Sequence, residues 1–150
     1  MVRLEVIEIA EPSAEALDKT ALYAAVSDKG QKAVLMECLK RAFYLIQKYA
    51  DKALLPGTFR ICADDHSGAV RVYMGGQAES VTDSHGSAVS FIQCGNEVRI
   101  GADGYCEVIF TTGVNEGDYA SLLPLVMKYA TALYDGKDSR ELNLILKEAL

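Results

Sequence analysis

The chain has 150 residues, of which 50% are hydrophobic and 24% are charged, and its formal net charge is −6. This composition predicts a globular protein and argues against a disordered or fibrous one. The excess of acidic groups counts against a protein that grips nucleic acid or an anionic membrane through a basic patch. Membrane insertion and export are not expected either, because no apolar run approaches the ~20 residues of a membrane span and Glu5, Glu8 and Glu11 interrupt any signal-peptide core.

Helices are predicted for the first third of the chain. Residues 2–7 alternate between apolar and polar side chains, which fits a short strand or an ordered arm. Pro12-Ser13 begins a helix over residues 14–26, and residues 27–30 form a turn. The helix predicted over residues 31–54 has apolar residues at helical spacing on a face wide enough to be covered on more than one side. Pro56-Gly57 ends this helix.

The middle of the chain changes to a period of two. Alternating apolar residues predict short strands at 59–63, 70–74, 97–100 and 106–110. Turn-forming clusters separate these strands, and Asp103-Gly104 is the strongest hairpin signal among them. Because no helical segment intervenes, we expect antiparallel hairpins and meanders and not strands joined by crossover helices.

A helical period returns after Gly113. The next helix is predicted from residue 122 or 123 to residue 134, because Pro124 is acceptable only in a first turn, and Gly136 caps its end. A last helix starts at Asp138 or Ser139. These elements predict a single α+β domain over residues 1–150, with helical parts at 13–55 and 120–150 packed with a β-rich part at 57–112.

The histidines carry the one candidate metal site. Both lie in turns beside aspartates, and converging turns would offer a divalent metal two imidazoles and three carboxylates from Asp64, Asp65, His66, Asp83 and His85. The same residue types are common in turns for conformational reasons. We therefore expect no metal, no cofactor and no catalytic residue, and keep a small metal-assisted hydrolase as an alternative.

Other catalytic patterns receive no support. The four cysteines lack C-x-x-C spacing and occupy apolar segments, so reduced thiols are expected. The sequence contains neither a G-x-S-x-G elbow nor a P-loop, and Gly75-Gly76 precedes no helical pattern that could complete a phosphate site. Arg60, Arg71 and Arg99 could line one sheet face, most simply as a solvated outer face. A ligand-binding or regulatory α+β module stays open as a further hypothesis.

Abundant tyrosine and apolar segments favour a subunit of an assembly. Tyrosine is enriched at protein interfaces, and the apolar residues near the end of the chain must pack on this chain or on a neighbour. We expect the wide face of the 31–54 helix and the last helix to provide the interface residues, namely Leu35, Leu39, Phe43, Ile46, Leu142, Ile145 and Leu146.

Three segments follow one another in a recognisable order: ALLPGTF at the end of the long helix, VIFTTG in the last strand, and a helix at residues 123–134 that contains Pro124. This order resembles the head-tail connector (head-completion adaptor) proteins of long-tailed phages and prophages. Residues 35–61, which contain the sequence ALLPGTF, are similar to the junction between the long helix and the strand of that family. Residues 108–113, VIFTTG, look like its last strand, and residues 123–134 look like the proline-initiated helix that follows. The resemblance covers residues 31–146.

This resemblance implies a structural protein with no catalytic residues. Connector subunits form a homo-oligomeric ring that docks on the portal protein and extends the DNA channel toward neck and tail proteins. DNA would pass through without specific binding, and acidic walls would repel its phosphates. The resemblance also implies assembly in the host cytoplasm, a subunit that can be monomeric beforehand, and a final place in the virion neck.

Overall fold

The computed structural model describes residues 2–64 and 67–149, which form seven strands and four helices. The elements are β1 (Val2–Ile9), α1 (Ala14–Ala24), α2 (Lys29–Ala50), β2 (Gly57–Ala63), β3 (Ala69–Arg71), β4 (Gln77–Asp83), β5 (Phe91–Cys94), β6 (Glu97–Ile100), β7 (Cys106–Thr112), α3 (Glu116–Tyr134) and α4 (Ser139–Lys147). All strand pairs are antiparallel, which confirms the predicted α+β class.

The chain divides into two compact units. The described residues of 1–10 and 55–114 contain every strand and are called the sheet unit below, whereas those of 11–54 and 115–149 contain the helices and are called the helical unit. The expected single domain over residues 1–150 stays a prediction.

Alternation of side chains gives the larger sheet its buried face. Its strand order is β1-β2-β7-β4, and Phe59 pairs with Phe110 across β2 and β7. Both rings are fully buried and stack with centroids 5.3 Å apart. Burial of side chains of this size stabilises the fold by about 1.5–3 kcal/mol each. The intervening positions, Arg60 and Glu107 among them, place charged groups on the opposite face.

The Gly75-Gly76 pair leads into β4 and not into a helix. Gly75 has φ 64, which is favourable only for residues that tolerate the left-handed region. At Gly76, an added Cβ would overlap the ring of Phe110. The two glycines therefore allow the backbone to turn and to pass close to the ring of Phe110 in the core.

The smaller sheet has the order β3-β6-β5. Gly95 and Asn96 form a two-residue loop between β5 and β6, and Gly95 has φ 62 as the first residue of a type II′ turn requires. Gln93 connects this sheet to the start of β4. Its Oε1 accepts from the Ala78 N–H at 2.7 Å, and its Nε2 donates to the carbonyl oxygens of Gly76 and Gly95, each at 2.8 Å.

The predicted meander is wrong for the larger sheet, because β7 lies between β2 and β4. Asp103-Gly104 is also not a hairpin turn, since it connects β6 of the smaller sheet to β7 of the larger one. Strand β4 was not expected from the sequence because it is an edge strand with one fully buried apolar side chain, Val81.

Capping side chains set the helix starts. Asp28 accepts from the Gln31 N–H at 3.1 Å, so α2 begins at Lys29, inside the predicted turn. Helix α2 ends at Ala50, before the predicted Leu54, because Asp51 adopts the left-handed conformation with φ 55.

The predicted start of the third helix is wrong. Asn115 accepts from the Asp118 N–H at 3.0 Å, so α3 begins at Glu116 and contains Pro124 in its interior. Pro124 and the residue four positions earlier, Ala120, are both exposed, so water can reach the carbonyl that proline leaves without a donor. The later boundaries are confirmed: Gly136 caps α3 with φ 73, and the Asp138 side chain caps α4.

Candidate interaction surfaces

The apolar stripe of α2 lies in the interior of the chain. Leu35, Leu39, Phe43 and Ile46 have no exposed area, and the Phe43 ring stacks on Tyr119 of α3 with centroids 5.9 Å apart. These four side chains are core residues and have no surface to offer a neighbouring chain. The sequence pattern missed this because a stripe covered by the chain itself has the same spacing as one covered by another subunit.

Helix α4 is packed more lightly. Leu142, Ile145 and Leu146 are half-buried, and no α4 residue that the structure describes is fully buried. Lys128 of α3 binds Glu148, just beyond the end of α4, with N–O distances of 2.9 and 3.2 Å. Because both partners are about half exposed, this ion pair stabilises the position of α4 by no more than about 1 kcal/mol. The amphipathic α4 therefore has an apolar stripe that is only partly covered.

An open groove of about 390 Å³ lies beside α4 in the helical unit. Leu122 and Leu125 provide apolar lining from α3, and Tyr23 borders it from α1. Leu22 is 83% exposed and Tyr23 57% exposed, so apolar surface continues beyond the groove. We call Leu22, Tyr23 and the groove the α1–α3 surface. Exposed apolar surface of this kind is typical of a protein contact.

The outer face of the larger sheet carries paired charges. Glu5 binds Arg3 at 2.8 Å and Arg60 at 3.3 Å. The Tyr105 hydroxyl donates to Glu107 at 2.8 Å, and this hydrogen bond is the main cause that raises the pKa of Tyr105 above its ordinary value. Both arginines of this face, Arg3 and Arg60, therefore already contact a carboxylate.

The arginines do not line one face, contrary to the expectation from the sequence. Arg60 belongs to the larger sheet, whereas Arg71 and Arg99 belong to the smaller one. Arg99 binds Glu97 at 3.3 Å, and the Arg71 guanidinium lies 5.3 Å from the centroid of the Tyr73 ring.

The candidate metal residues that the structure describes lie at strand ends, bends and turns: Asp64 follows β2, Asp83 ends β4 and His85 lies in the turn after it. Asp83 accepts from the backbone N–H groups of Ser87 at 3.0 Å and His85 at 2.9 Å, and these bonds lower the pKa of its carboxyl group. Asp64 is exposed, while Asp65 and His66 lie outside the described residues. Within residues 2–64 and 67–149, no group of three or more His, Cys, Asp or Glu side chains is arranged to hold a metal ion.

The four thiols are free, as expected, but they are not all buried. Cys62 and Cys106 are buried, Cys38 is half-buried, and Cys94 is exposed on the outer strand of the smaller sheet. Burial raises the pKa of the Cys38 and Cys106 thiols, which disfavours the reactive thiolate. Among the helices of the described residues, none combines the length and apolar character needed to cross a membrane.

Three solved structures share this fold. One is a chain from the neck of an empty GTA particle computed with C6 symmetry, with 16% identity and a TM-score of 0.59 over 91% of this chain and 86% of that chain. The second, from the virion of a native gene transfer agent (GTA) particle, has 20% identity and a TM-score of 0.60 over the same shares. The third, from the neck of the native GTA particle computed with C12 symmetry, has 15% identity and a TM-score of 0.54 over 95% of this chain and 94% of that chain. No protein-family model and no curated protein matches the sequence.

Proposed function

We propose that the chain is a structural neck subunit, a head-tail connector that forms a ring on the portal protein and extends the DNA channel toward the tail. The observation that carries this proposal is the fold shared with GTA neck chains over at least nine-tenths of this chain. The segment order that resembles the connector family supports it independently. The role is non-enzymatic and needs no cofactor.

Ring closure requires two different and complementary patches on each subunit. The α1–α3 surface is one such patch, because its groove is accessible and combines apolar side chains with the Lys128–Glu148 ion pair. Helix α4 is the second, because its apolar stripe is only partly covered and one surface ion pair holds its end. An amphipathic helix that docks into a groove of the next subunit or of the portal protein would cover both. In this proposal, Leu142, Ile145 and Leu146 keep the interface role expected from the sequence.

The electrostatic properties suit a conduit for DNA. The net charge is −6, and the arginines of the sheets face carboxylates or an aromatic ring. An acidic excess works against holding phosphates by counterion release, so in this proposal DNA passes without specific binding. The ring is assembled in the host cytoplasm and ends in the virion neck.

The test is the double substitution Leu142→Asp with Ile145→Asp. We expect a folded, soluble chain that no longer forms rings or binds portal-bearing capsids, measured by light scattering, negative-stain microscopy and co-sedimentation. The control is Leu144→Asp, which puts one of the two added charges on the same helix at a position that is 57% exposed. The control should assemble like the unchanged chain.

Circular dichroism and thermal melting separate the outcomes. Global unfolding of the double variant would place α4 in the core and contradict its interface role. Normal ring formation by the folded double variant would likewise contradict it. Failure of the unchanged chain to bind portal-bearing capsids would contradict the connector function itself.

A further inference from the structure

The two edges of the larger sheet differ in their protection. Beyond β4, the segment that follows it returns and covers part of the edge, with Val89 N–H donating to the Val81 carbonyl at 2.9 Å and Asp83 N–H to the Ser87 carbonyl at 3.0 Å. In the described part of the chain, β1 is the other edge and has β2 as its one partner strand. Its outer backbone N–H and C=O groups are a template for another strand.

Strand β1 also exposes apolar side chains at this edge. Val2, Val6 and Ile7 are 55%, 39% and 47% exposed. Val2 and Val6 share a face with Leu4, which lies opposite Ile61 of β2. The pairing with β2 is regular over residues 2–6 and shifts between Val6 and Glu8, so the regular part of the edge ends at Val6. An added strand can therefore pair with residues 2–6 without meeting the irregularity.

Residues 2–6 are complementary to themselves when two copies run antiparallel. With Leu4 opposite its own copy, Val2 lies opposite Val6 of the second copy, and Arg3 lies opposite Glu5 of the second copy, twice by symmetry. Opposite charges directly across an antiparallel pair are stabilising, and apolar pairs on the other face cover the exposed valines. Within each chain, Glu5 already contacts Arg60 and Arg3, so a row of alternating charge would run from Arg60 and Glu5 of one copy to Arg3 of the other.

We infer that two copies of this chain pair through their β1 edges, residues 2–6 in antiparallel register, to form a continuous eight-stranded sheet with twofold symmetry. This contact does not rest on the proposed function, because a twofold contact between free chains differs from the head-to-tail contact that closes a ring. The paired segment is short, so the dimer is weak and forms reversibly.

The first experiment exchanges the charges and uses mixing as the decisive arm. The unchanged chain is expected to show a concentration-dependent dimer by sedimentation equilibrium, and Arg3→Glu and Glu5→Arg are each expected to weaken it about tenfold or more, because each places like charges opposite one another. An equimolar mixture of the two variants is expected to recover the dimer, since each chain then presents the sign that the other lacks.

Glu5→Arg also breaks the contact between Glu5 and Arg60 within its own chain. Because that contact is broken in the mixture as well as in the variant alone, recovery of the dimer on mixing reports the contact between chains. If the unchanged chain is monomeric at all concentrations, the inference is overturned. The charges of Arg3 and Glu5 would then serve to prevent pairing of the exposed β1 edge. Undiminished dimers of both single variants would also overturn it.

A second experiment tests the register even if Glu5→Arg fails to fold. In a Cys94→Ser background, Leu4→Cys places two thiols opposite each other across the twofold axis, where Cα atoms about 4.5–5.5 Å apart fit a disulfide. Oxidised glutathione should link these chains into covalent dimers. Glu8→Cys in the same background lies beyond the irregularity and should not cross-link. Equal cross-linking at both positions, or at neither, would overturn the register.

Discussion

Gln93 joins the two sheets through all the polar atoms of its amide group, and its removal tests how the sheet unit is held together. In Gln93→Leu, the hydrogen bonds to Ala78, Gly76 and Gly95 are lost while the side chain keeps a similar size. A typical hydrogen bond contributes about 0.5–1.5 kcal/mol, and a donor left without a partner costs about 1–3 kcal/mol. The bond to Gly95 is exposed and contributes least, so we expect a loss of about 2–4 kcal/mol in the free energy of unfolding.

Urea unfolding followed by circular dichroism measures this loss, and hydrogen exchange of the Ala78 amide localises it. The control is Gln77→Leu, which makes the same substitution at an exposed position of β4. Gln93→Glu adds a second comparison, because it keeps an acceptor for the Ala78 N–H and loses both donors. A loss below about 0.5 kcal/mol in Gln93→Leu, no larger than an ordinary surface substitution, would refute the argument that Gln93 holds the sheets together.

Three further predictions follow from local geometry. Ala25 ends α1 in the left-handed region with φ 56, so Ala25→Gly should raise the melting temperature by removing a strain of about 1 kcal/mol. Ala24→Gly, at the last residue of the helix, should lower it. The pKa of Asp83 is lowered in the folded chain, so its carboxylate stabilises the fold fully above the ordinary carboxyl pKa. This contribution is lost as the pH falls through the lower folded-state pKa. Asp83→Asn should therefore remove this part of the acid dependence of the free energy of unfolding, measured by urea titrations at a series of pH values. Elemental analysis of the purified chain should find no stoichiometric metal. A stoichiometric metal that is lost when His66→Ala is combined with His85→Ala would favour the metal-assisted hydrolase instead.

Local signals in the sequence predicted the elements whose boundaries depend on nearby residues. Asp138 caps α4 through an N–H three residues away, and Gly136 ends α3 through its own backbone conformation. The partners of β7 were not predictable in this way, because β2 and β4 come from distant parts of the chain. Pro124 misled the prediction because its cost depends on whether water reaches the freed carbonyl, which is a property of the surface and not of the local sequence.

The candidate interface was predicted only in part, because exposure of a side chain depends on the tertiary structure and not on the local sequence. Helical spacing correctly identified an apolar stripe on α2 and another on α4. It could not show which of the two stripes is buried by the rest of the same chain. Leu39 is fully buried and Leu142 is half-buried, although both occupy equivalent positions in the pattern. The α1–α3 surface was not anticipated, because Leu22 and Tyr23 look like ordinary residues of an amphipathic helix until their exposure is known.

The position of β7 has a consequence for synthesis on the ribosome. Strand β2 forms in the first half of the chain, yet its second partner begins only at Cys106, and the helix that contacts Phe43 follows later still. A nascent chain that ends before residue 106 therefore exposes the aromatic face of β2 and an incomplete helical unit, both of which are ready to aggregate. Translational pauses between the codons for β2 and those for β7 would lengthen that exposure, and chaperone binding to nascent chains should fall once residues 106–134 have emerged.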